Sequence, residues 1–301
     1  MTVRLFGRVP LQKEIKIEAE LRKIPNPPEE GKIYGEIGSG GQCTIHLKAR
    51  QGKIVVSKRS RQDEPERIAP TEEIMREEFG IMKAIYFDAK GRIPKPIELY
   101  EDPEYDDLES ILELIEYPTV KRLVEQGGLN ESEKASLLIE CANAIIEAAH
   151  ENKVVHRDIK EDNFMIGEKA RLIDFGTSRI IGRPDRSASL HSFGRIGTVE
   201  YRAPEITTLG DSSFKSDIYA FGIMMYFMLK GAVPFKGIKY DEILRWHREI
   251  KPQKIDTPAW PVVERCLEKD PSKRPENMRN VRDGIGEEFE KAKIKIPEFC
   301  K

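Results

Sequence analysis

Three side chains within a short stretch of the chain are suited to phosphoryl transfer. Asp158 follows a His-Arg pair, Asn163 stands five positions later, and Asp174 precedes a Phe-Gly pair. Transfer of a phosphoryl group from ATP requires a carboxylate facing the acceptor hydroxyl and oxygen ligands for Mg²⁺ beside the phosphates. Asp158 can supply the first, and Asn163 with Asp174 can supply the second. Such hard oxygen donors suit Mg²⁺, and no His/Cys cluster indicates a transition metal.

The composition indicates a soluble protein with one or two structural units. The chain has 301 residues, of which 39% are hydrophobic and 34% charged, as expected for a protein with a real core. The net charge of -2 gives no electrostatic reason to expect nucleic acid or an anionic membrane as the main partner. The apolar run 218–229 is too short to cross a bilayer, and residues 1–10 lack a signal-peptide hydrophobic region.

The cysteines indicate a reducing environment. Their spacing matches neither a zinc site nor a dense disulfide framework, so we expect reduced thiols and a cytoplasmic location. The four residues are Cys43, Cys141, Cys266 and Cys300.

The first part of the chain is predicted to form strands. Residues 13–22 alternate between apolar and charged side chains, which is typical of a strand, and residues 25–30 resemble a short linker. Further strands are predicted over residues 33–37, 44–49 and 54–58. These strands would carry the loop described next.

A glycine-rich turn joins the first two strands after the linker. Its sequence is Gly38-Ser39-Gly40-Gly41-Gln42-Cys43. Backbone amides approach phosphate oxygens closely only where no side chain intervenes. The pattern alone also fits a plain hairpin loop, whereas a dinucleotide-binding turn is disfavoured because a strand follows instead of a helix. Together with the residues downstream, a loop covering phosphates is favoured.

The ordered motifs resemble the eukaryotic-type protein kinase family, in its serine/threonine branch. They include Ala203-Pro204-Glu205, and the resemblance extends over about residues 32–274. It implies an α+β, two-lobed fold: a small lobe of antiparallel strands with one main helix, and a mostly α-helical large lobe. The expected divisions are an N-terminal extension with strands over 1–30, the small lobe over 31–115, a hinge over 116–119 and the large lobe over 120–301.

The resemblance assigns roles to the residues that could do chemistry. Asp158 would accept or orient the proton of the acceptor hydroxyl, and Lys160 would neutralise charge on the transferring phosphate. Thr198 would hydrogen-bond both Asp158 and Lys160, as in the serine/threonine branch. Asn163 and Asp174 would hold the magnesium ions.

A second group of residues would bind ATP. Lys58 would contact the α- and β-phosphates and pair with a glutamate on a helix predicted over 71–86, with Thr71 as its cap. Glu78 fits the family pattern best, and Glu77 is the alternative.

The family places adenine between the lobes. Ile115 would limit the depth of the pocket, and backbone groups of residues 116–118 would bind the adenine edge. Ile37, Val56 and Met165 would sandwich its faces. The other predicted nucleotide contacts are Gly38, Ser39, Gly40, Ile45, Glu116 and Tyr117, with Cys43 at the position of the family's third glycine.

Regulation is predicted for the segment over residues 177–200. Arg157 would pair with a phosphate added there and so order the segment. The candidate acceptors are Ser187, Ser189 and Ser192, although serines in a loop also serve as soluble spacers.

Further residues are predicted to be structural. Glu205 should form a buried ion pair with Arg274. Asp217 should brace the catalytic loop, residues 156–163, through the backbone of that loop. His156 and Phe175 should pack together between the lobes and take no part in the chemistry.

The predicted activity is that of an ATP-dependent protein serine/threonine kinase, including autophosphorylation. One alternative is a pseudokinase that binds nucleotide or acts as a scaffold, but Lys58, Asp158, Asn163 and Asp174 are all present. A small-molecule kinase is disfavoured by the docking segment over 198–205. No nucleic-acid or membrane partner is expected, and the sequence indicates no particular oligomeric state.

Overall fold

A computed structural model gives the fold of most of the chain. It describes residues 21, 23–39, 43–60, 65–102, 107–184, 198–206, 211–237 and 239–296. The strand predicted over residues 13–22 lies almost entirely outside these residues. So do Gly40 of the glycine-rich turn and the three candidate phosphorylation sites, Ser187, Ser189 and Ser192.

The small lobe is built on a five-stranded antiparallel sheet. Its strands are β1 (Ile33–Ser39), β2 (Cys43–Arg50), β3 (Lys53–Ser60), β4 (Pro96–Asp102) and β5 (Asp107–Glu113), in the order β1-β2-β3-β5-β4. Gln51 and Gly52 turn the chain between β2 and β3 with positive φ angles. The three strands predicted over residues 33–37, 44–49 and 54–58 are confirmed. The first is longer at its C-terminal end, and the other two are longer at both ends.

One long helix, α1 (Pro65–Ile85), packs against this sheet. The prediction that it begins at a Thr71 cap is wrong, because the helix starts six residues earlier. Proline is tolerated in the first helical turn, since the N–H it lacks would have no intrahelical partner there. Met75 of α1 packs with Cys43 and Leu108, so the helix covers one face of the sheet.

The large lobe is mostly helical. In the described part of the chain its helices are α2 (Val120–Glu125), α3 (Glu131–Ala144), α4 (Phe214–Lys230), α5 (Tyr240–Glu249), α6 (Trp260–Cys266) and α7 (Met278–Lys291). The apolar run over 218–229 lies in α4, where most residues are buried. Among the described helices, none is both long enough and apolar enough to pass through a membrane.

The helical stretch that begins at Glu131 is a regular α-helix only in its first part. Asn130 caps α3, and Asn130 and Glu133 form a reciprocal capping box. After Ala144 the chain continues as a π-helical turn (Ile145–Ala149) and a 3₁₀ turn (His150–Asn152). Lys153, with a φ of 58°, then directs the chain into the next strand.

Two small ribbons hold the segments that carry the candidate residues. Strand β6 (Val154–Val155) pairs with β9 (Arg179–Ile180), and β7 (Phe164–Ile166) pairs with β8 (Ala170–Leu172). The segment from His156 to Asn163 therefore runs between β6 and β7. Asp174 lies between β8 and β9, the second strands of these two ribbons.

Candidate active site

Asp158 is fixed by two donors on one carboxylate oxygen. Lys160 Nζ donates to Asp158 Oδ2 at 2.7 Å, and Asn163 Nδ2 donates to the same oxygen at 3.0 Å. Asn163 Nδ2 also donates to the Asp158 carbonyl at 2.8 Å. No described residue donates to Oδ1, so this oxygen can still accept a hydrogen bond.

Thr198 reaches this cluster through Lys160. Lys160 Nζ donates to Thr198 Oγ1 at 3.0 Å, as predicted. The predicted hydrogen bond from Thr198 to Asp158 does not form between these described residues. The physical reason is that the Lys160 ammonium bonds to both groups and occupies the position between them.

Asp217 braces the catalytic loop, as predicted. Its two carboxylate oxygens accept hydrogen bonds from the backbone N–H groups of His156 and Arg157, both at 2.9 Å. Burial alone would raise the pKa of Asp217, but the hydrogen bond to the His150 ring lowers it overall. Arg157 has a φ of 71°, a left-handed conformation that this carboxylate holds in place.

His150 is a supporting residue that the sequence did not reveal. Its Nε2 lies 3.1 Å from Asp217 Oδ2, and its ring packs against Phe214 at a centroid distance of 4.4 Å. The 3₁₀ turn after α3 brings it there. A polar residue at the end of a mostly apolar helix was the only available signal.

Lys58 forms the ion pair predicted from the sequence. Lys58 Nζ lies 2.7 Å from Glu78 Oε2 and 3.3 Å from Asp174 Oδ1. Glu78, and not the alternative Glu77, is the partner. Strand β3 and helix α1 thus join Asp174 of the large lobe at a single ammonium group.

These charges shift one another's pKa values. Burial alone would lower the pKa of Lys58, but the carboxylates of Asp174 and Glu78 outweigh it and raise that pKa. Lys58 in turn lowers the pKa of Asp174 to about 2. Burial raises the pKa of Glu78, with the charge of Lys58 opposing the shift.

Asp174 faces an open space. Its side chain is 47% exposed, although the neighbouring Phe175 is completely buried. The φ of Asp174 is 64°, and this conformation separates the direction of the carboxylate from that of the phenyl ring. An ionised carboxylate turned into a cleft can bind a cation.

His156 and Phe175 pack together inside the protein, as predicted. Their rings meet edge to face with a centroid distance of 4.9 Å, and both residues are completely buried. His156 Nε2 lies 3.2 Å from the Ile173 carbonyl, and burial lowers the pKa of this histidine. A neutral, enclosed ring supports the loop and does not face the cleft.

The residues predicted to contact adenine are distributed over three strands. Ile37 lies on β1, Val56 on β3 and Met165 on β7, and all three side chains are half-buried. Gly38 stands opposite Ile45 in the β1–β2 register, and Ser39 stands opposite Thr44. Met165 also forms a β-bridge with Thr119, which ties the hinge to β7.

The hinge has fewer backbone groups to offer than predicted. Proline has no N–H, and the carbonyl of Pro118 already accepts a hydrogen bond from Ile166 N at 2.8 Å. Of the three residues predicted to bind the adenine edge, only Glu116 and Tyr117 can donate a backbone N–H. The Tyr117 ring lies against Gly167, where an added Cβ would stand 2.4 Å from a ring carbon.

The docking segment is anchored by the ion pair predicted between Glu205 and Arg274. Two parallel hydrogen bonds of 2.7 Å join the guanidinium to the carboxylate. The Arg274 side chain is completely buried and also lies over the Tyr219 ring at 4.8 Å.

Arg157 lies near the segment predicted to be regulated. Its Nε donates to Ser212 Oγ at 2.5 Å, and its NH1 donates to the Thr177 carbonyl at 3.3 Å. Arg179 NH2 donates to the Ser212 carbonyl at 2.8 Å. Two guanidinium groups thus converge on Ser212.

Known proteins resemble this chain over most of its length. The sequence profile of the family described as "Protein kinase domain" matches residues 31–283. Serine/threonine-protein kinase pkn2 of Myxococcus xanthus is 29% identical over 271 residues, which cover 84% of this chain and 32% of that protein. Serine/threonine-protein kinase PkaA of Streptomyces coelicolor is 34% identical over 203 residues, which cover 62% of this chain and 37% of that protein. Serine/threonine-protein kinase PrkC of Bacillus subtilis is 28% identical over 221 residues, covering 68% and 33% respectively. The chain thus matches about a third of the length of these curated relatives.

Proposed function

The chain belongs to the protein kinase domain family, and we propose that it is an ATP-dependent protein serine/threonine kinase. It transfers the γ-phosphate of ATP to Ser and Thr hydroxyls of protein substrates, including its own. The main support for this activity is the Asp158 carboxylate. Lys160 and Asn163 hold its Oδ2, and its Oδ1 accepts no hydrogen bond from a described residue. The names of the similar bacterial proteins support the same activity.

The proposed reaction divides the work among the residues of the catalytic loop. Asp158 Oδ1 orients the acceptor hydroxyl and takes its proton as the oxygen attacks the γ-phosphorus, while the bond to the β–γ bridging oxygen breaks and ADP leaves. The Lys160 ammonium neutralises charge that develops on the transferred group. Thr198, bonded to Lys160, fixes the docking segment beside both residues.

Binding of ATP is assigned to the small lobe and the hinge. Lys58, held by Glu78, contacts the α- and β-phosphates beneath the glycine-rich turn. Ile37, Val56 and Met165 enclose the base, and Glu116 and Tyr117 supply backbone groups to its edge. The proposed lobe boundaries remain residues 31–115 and 120–301, joined by the hinge over 116–119.

The residues present fit a magnesium ion that arrives with the nucleotide. Asp174 turns an ionised carboxylate into the cleft, and the Asn163 amide uses its N–H groups on Asp158, which leaves its oxygen for a cation. Mg²⁺ is commonly bound through one or two protein oxygens together with phosphates and water. When bound, the ion would neutralise the phosphate charge.

Cytoplasmic location and control by phosphorylation are part of the proposal. The described cysteines, Cys43, Cys141 and Cys266, are buried, and the spacing of the four cysteines in the sequence favours reduced thiols. Phosphate on Ser187, Ser189 or Ser192 would pair with Arg157. Mass spectrometry of the active protein should therefore find phosphate on this segment, and an unmodified active protein would contradict it.

The decisive test compares phosphate transfer by the wild type and by Asp158→Asn. The substitution preserves the size of the side chain but removes the base, so we expect transfer from radiolabelled ATP to fall by about 10² to 10⁴-fold. Asp283→Asn, on the exposed face of α7, is the matched control and should be fully active. A purely nucleotide-binding scaffold would instead show no difference between Asp158→Asn and the wild type.

A further inference from the structure

Two consecutive residues of the catalytic loop bind the same turn of the docking segment. Lys160 Nζ donates to Thr198 Oγ1 at 3.0 Å, and the Tyr201 hydroxyl donates to Glu161 Oε2 at 2.5 Å. Thr198 precedes the 3₁₀ turn Val199–Tyr201, and Tyr201 ends it. Residues 198–201 are called the docking turn below. We infer that Glu161 is a positioning residue, which fixes the docking turn and thereby places the substrate hydroxyl opposite Asp158. This inference rests on the proposed kinase function.

The pair is enclosed by protein. Glu161 is 5% exposed and Tyr201 is 7% exposed. Burying a carboxylate is costly unless a donor satisfies it, and no described Lys or Arg forms an ion pair with Glu161. The nearby Lys121 instead binds Asp162, at 2.9 Å. The Tyr201 hydroxyl is therefore the donor that makes this buried carboxylate tolerable, and the two groups depend on each other.

The position of Glu161 in the chain explains how the contact reaches the chemistry. Glu161 opens the 3₁₀ turn Glu161–Asn163, and Asn163 at its end bonds to Asp158. On the other side, Tyr201 N donates to the Thr198 carbonyl at 2.9 Å, so the docking turn moves as one unit. Moving Tyr201 would therefore move Thr198, and with it the partner of Lys160.

The expected effect falls on the protein substrate and not on ATP. On the ATP side, Lys58, Glu78 and Asp174 share no hydrogen bond or ion pair with Glu161 or Tyr201 among the described residues. Asn163 lies in the same 3₁₀ turn as Glu161, but its own hydrogen bonds go to Asp158, and we expect these to persist when the Glu161 side chain is changed. Loss of the Glu161–Tyr201 bond loosens only the docking turn. A substrate should then bind more weakly, with the KM for ATP unaffected.

The test is a double-substitution cycle on Glu161 and Tyr201. Glu161→Ala and Tyr201→Phe should each raise the KM for a Ser-containing peptide by about tenfold, the size of a lost hydrogen bond to a charged group, with the KM for ATP within about twofold. The double variant should be no worse than either single variant, because both remove the same bond. Glu161→Gln should restore the peptide KM to within about threefold, because its amide oxygen can still accept the tyrosine hydroxyl.

Matched controls and contrary outcomes separate this inference from the kinase proposal. Glu264→Ala, on the exposed side of α6, and Tyr226→Phe, in the distal half of α4, should leave both KM values unchanged. Parallel changes in the KM for ATP and for peptide, or additive effects in the double variant, would overturn the role of Glu161. A wild type that phosphorylates neither peptides nor itself would overturn the kinase proposal first. If Glu161→Ala does not fold, Tyr201→Phe and Glu161→Gln still decide the question.

Discussion

Lys58 lies between two carboxylates, and the balance among these three charges governs how the site holds a phosphate chain. Its ammonium is 2.7 Å from Glu78 Oε2 and 3.3 Å from Asp174 Oδ1. Glu78 is buried, whereas the Asp174 side chain is open to the cleft. We therefore expect Glu78 to hold the ammonium, which leaves Asp174 able to turn toward a metal ion when nucleotide binds.

Replacing Glu78 by Gln tests this division of roles. Without its buried counter-ion, the Lys58 ammonium would be held by Asp174 and would compete with the metal ion for that carboxylate. We expect the KM for ATP to rise about tenfold, as for loss of a charge-assisted hydrogen bond. Initial rates at increasing ATP concentration give the value. The neighbouring Glu77→Gln should leave it unchanged, and equal KM values in the two variants would contradict the assignment.

A second residue, Lys269, carries a charge in an unfavourable place. Its ammonium nitrogen is buried without a hydrogen-bond partner among the described residues and lies 4.6 Å from the centroid of the Phe235 ring. Burial, together with the positive charge of Arg274, lowers the pKa of Lys269 to about 8. The cation–π contact compensates only part of this cost.

Lys269→Met should therefore stabilise the protein. We expect the free energy of unfolding near neutral pH to rise by about 1–2 kcal/mol, since a poorly compensated buried charge is replaced by an apolar chain of similar length. The pKa of Lys269 is about 8 in the folded state against 10.5 for an unperturbed lysine. Between these values the unfolded state binds more protons, so the stability contributed by this group rises with pH.

The pH dependence gives this prediction its check. The difference in the free energy of unfolding between Lys269→Met and the wild type should be largest below about pH 8 and should disappear above about pH 10. Denaturant unfolding at both ends of this range measures it. A gap that stays constant across the range would mean that packing, and not charge, is responsible.

Contacts between recognisable motif residues were predictable, but contacts through ordinary polar residues were not. Lys58 and Glu78 stand at positions where few other roles fit, so their pairing could be predicted from the motifs alone. His150 and Asp217 are 67 residues apart, and a histidine at a helix end has many possible partners. Only the tertiary packing of the 3₁₀ turn against α4 decides which partner it meets.

At the scale of elements, one arginine joins three pieces of secondary structure. Arg92 follows α1 in the chain, and its guanidinium donates to Glu147 Oε2 and to Glu140 Oε2, both at 2.6 Å. Glu140 lies on α3 and also accepts from Ala170 N of β8 at 3.2 Å. Because β8 leads directly to Asp174, this cluster ties a metal-binding candidate to the segment between α1 and β4 of the small lobe.

Arg92→Met should be strongly destabilising. The buried Glu140 carboxylate would lose its cation, and breaking a buried ion pair from one side costs about 3–5 kcal/mol. Adding Glu140→Gln should recover part of the loss, because it removes the charge that was left behind. Arg76→Met is the control, since its pair with Glu101 is exposed and should contribute less than about 1 kcal/mol. Denaturant unfolding measures the loss of unfolding free energy in each variant. Equal losses in Arg92→Met and Arg76→Met would contradict a stabilising role of the cluster.

Element boundaries could be predicted only in part. The strands before α1 are separated by turns that contain glycine, so their predicted positions were close. Thr71 looked like the cap of a helix, whereas α1 begins at Pro65 and continues past Thr71. The π-helical turn over Ile145–Ala149 left no mark on the pattern, because four of its five residues are buried on more than one side.

At the scale of the whole molecule, the two lobes share a hydrophobic core. Ile81, Met82 and Ile85 at the end of α1 belong to the same buried cluster as Phe175 and the residues of α3 and α4. The helix that carries Glu78 is therefore packed into the large lobe at one end. The two-lobed organisation and the chain order of its parts were predictable from the motifs, whereas this continuity of the core depends on tertiary packing.

The ion pair between Glu205 and Arg274 tests how far the docking segment depends on the large lobe. The two residues are 69 positions apart, and the Arg274 side chain is completely buried. Glu205→Gln leaves that arginine without its counter-charge, so we expect a loss of about 3–5 kcal/mol. Thermal unfolding should show a drop of roughly 10 °C. The more exposed pair of Arg282 and Asp283 provides the control, through Asp283→Asn, and similar melting temperatures for both variants would contradict the prediction.

The missing amide hydrogen at Pro118 has a consequence for inhibitor chemistry. A heterocycle whose ring nitrogen needs a main-chain donor at that position finds none, and the adjoining carbonyl is already occupied by Ile166. Compounds that instead donate a hydrogen bond to the backbone carbonyl of Glu116 or Tyr117 lose no hydrogen bond because of this proline. Screening libraries sorted by donor and acceptor pattern should therefore favour the second type, which gives a route to selective ligands.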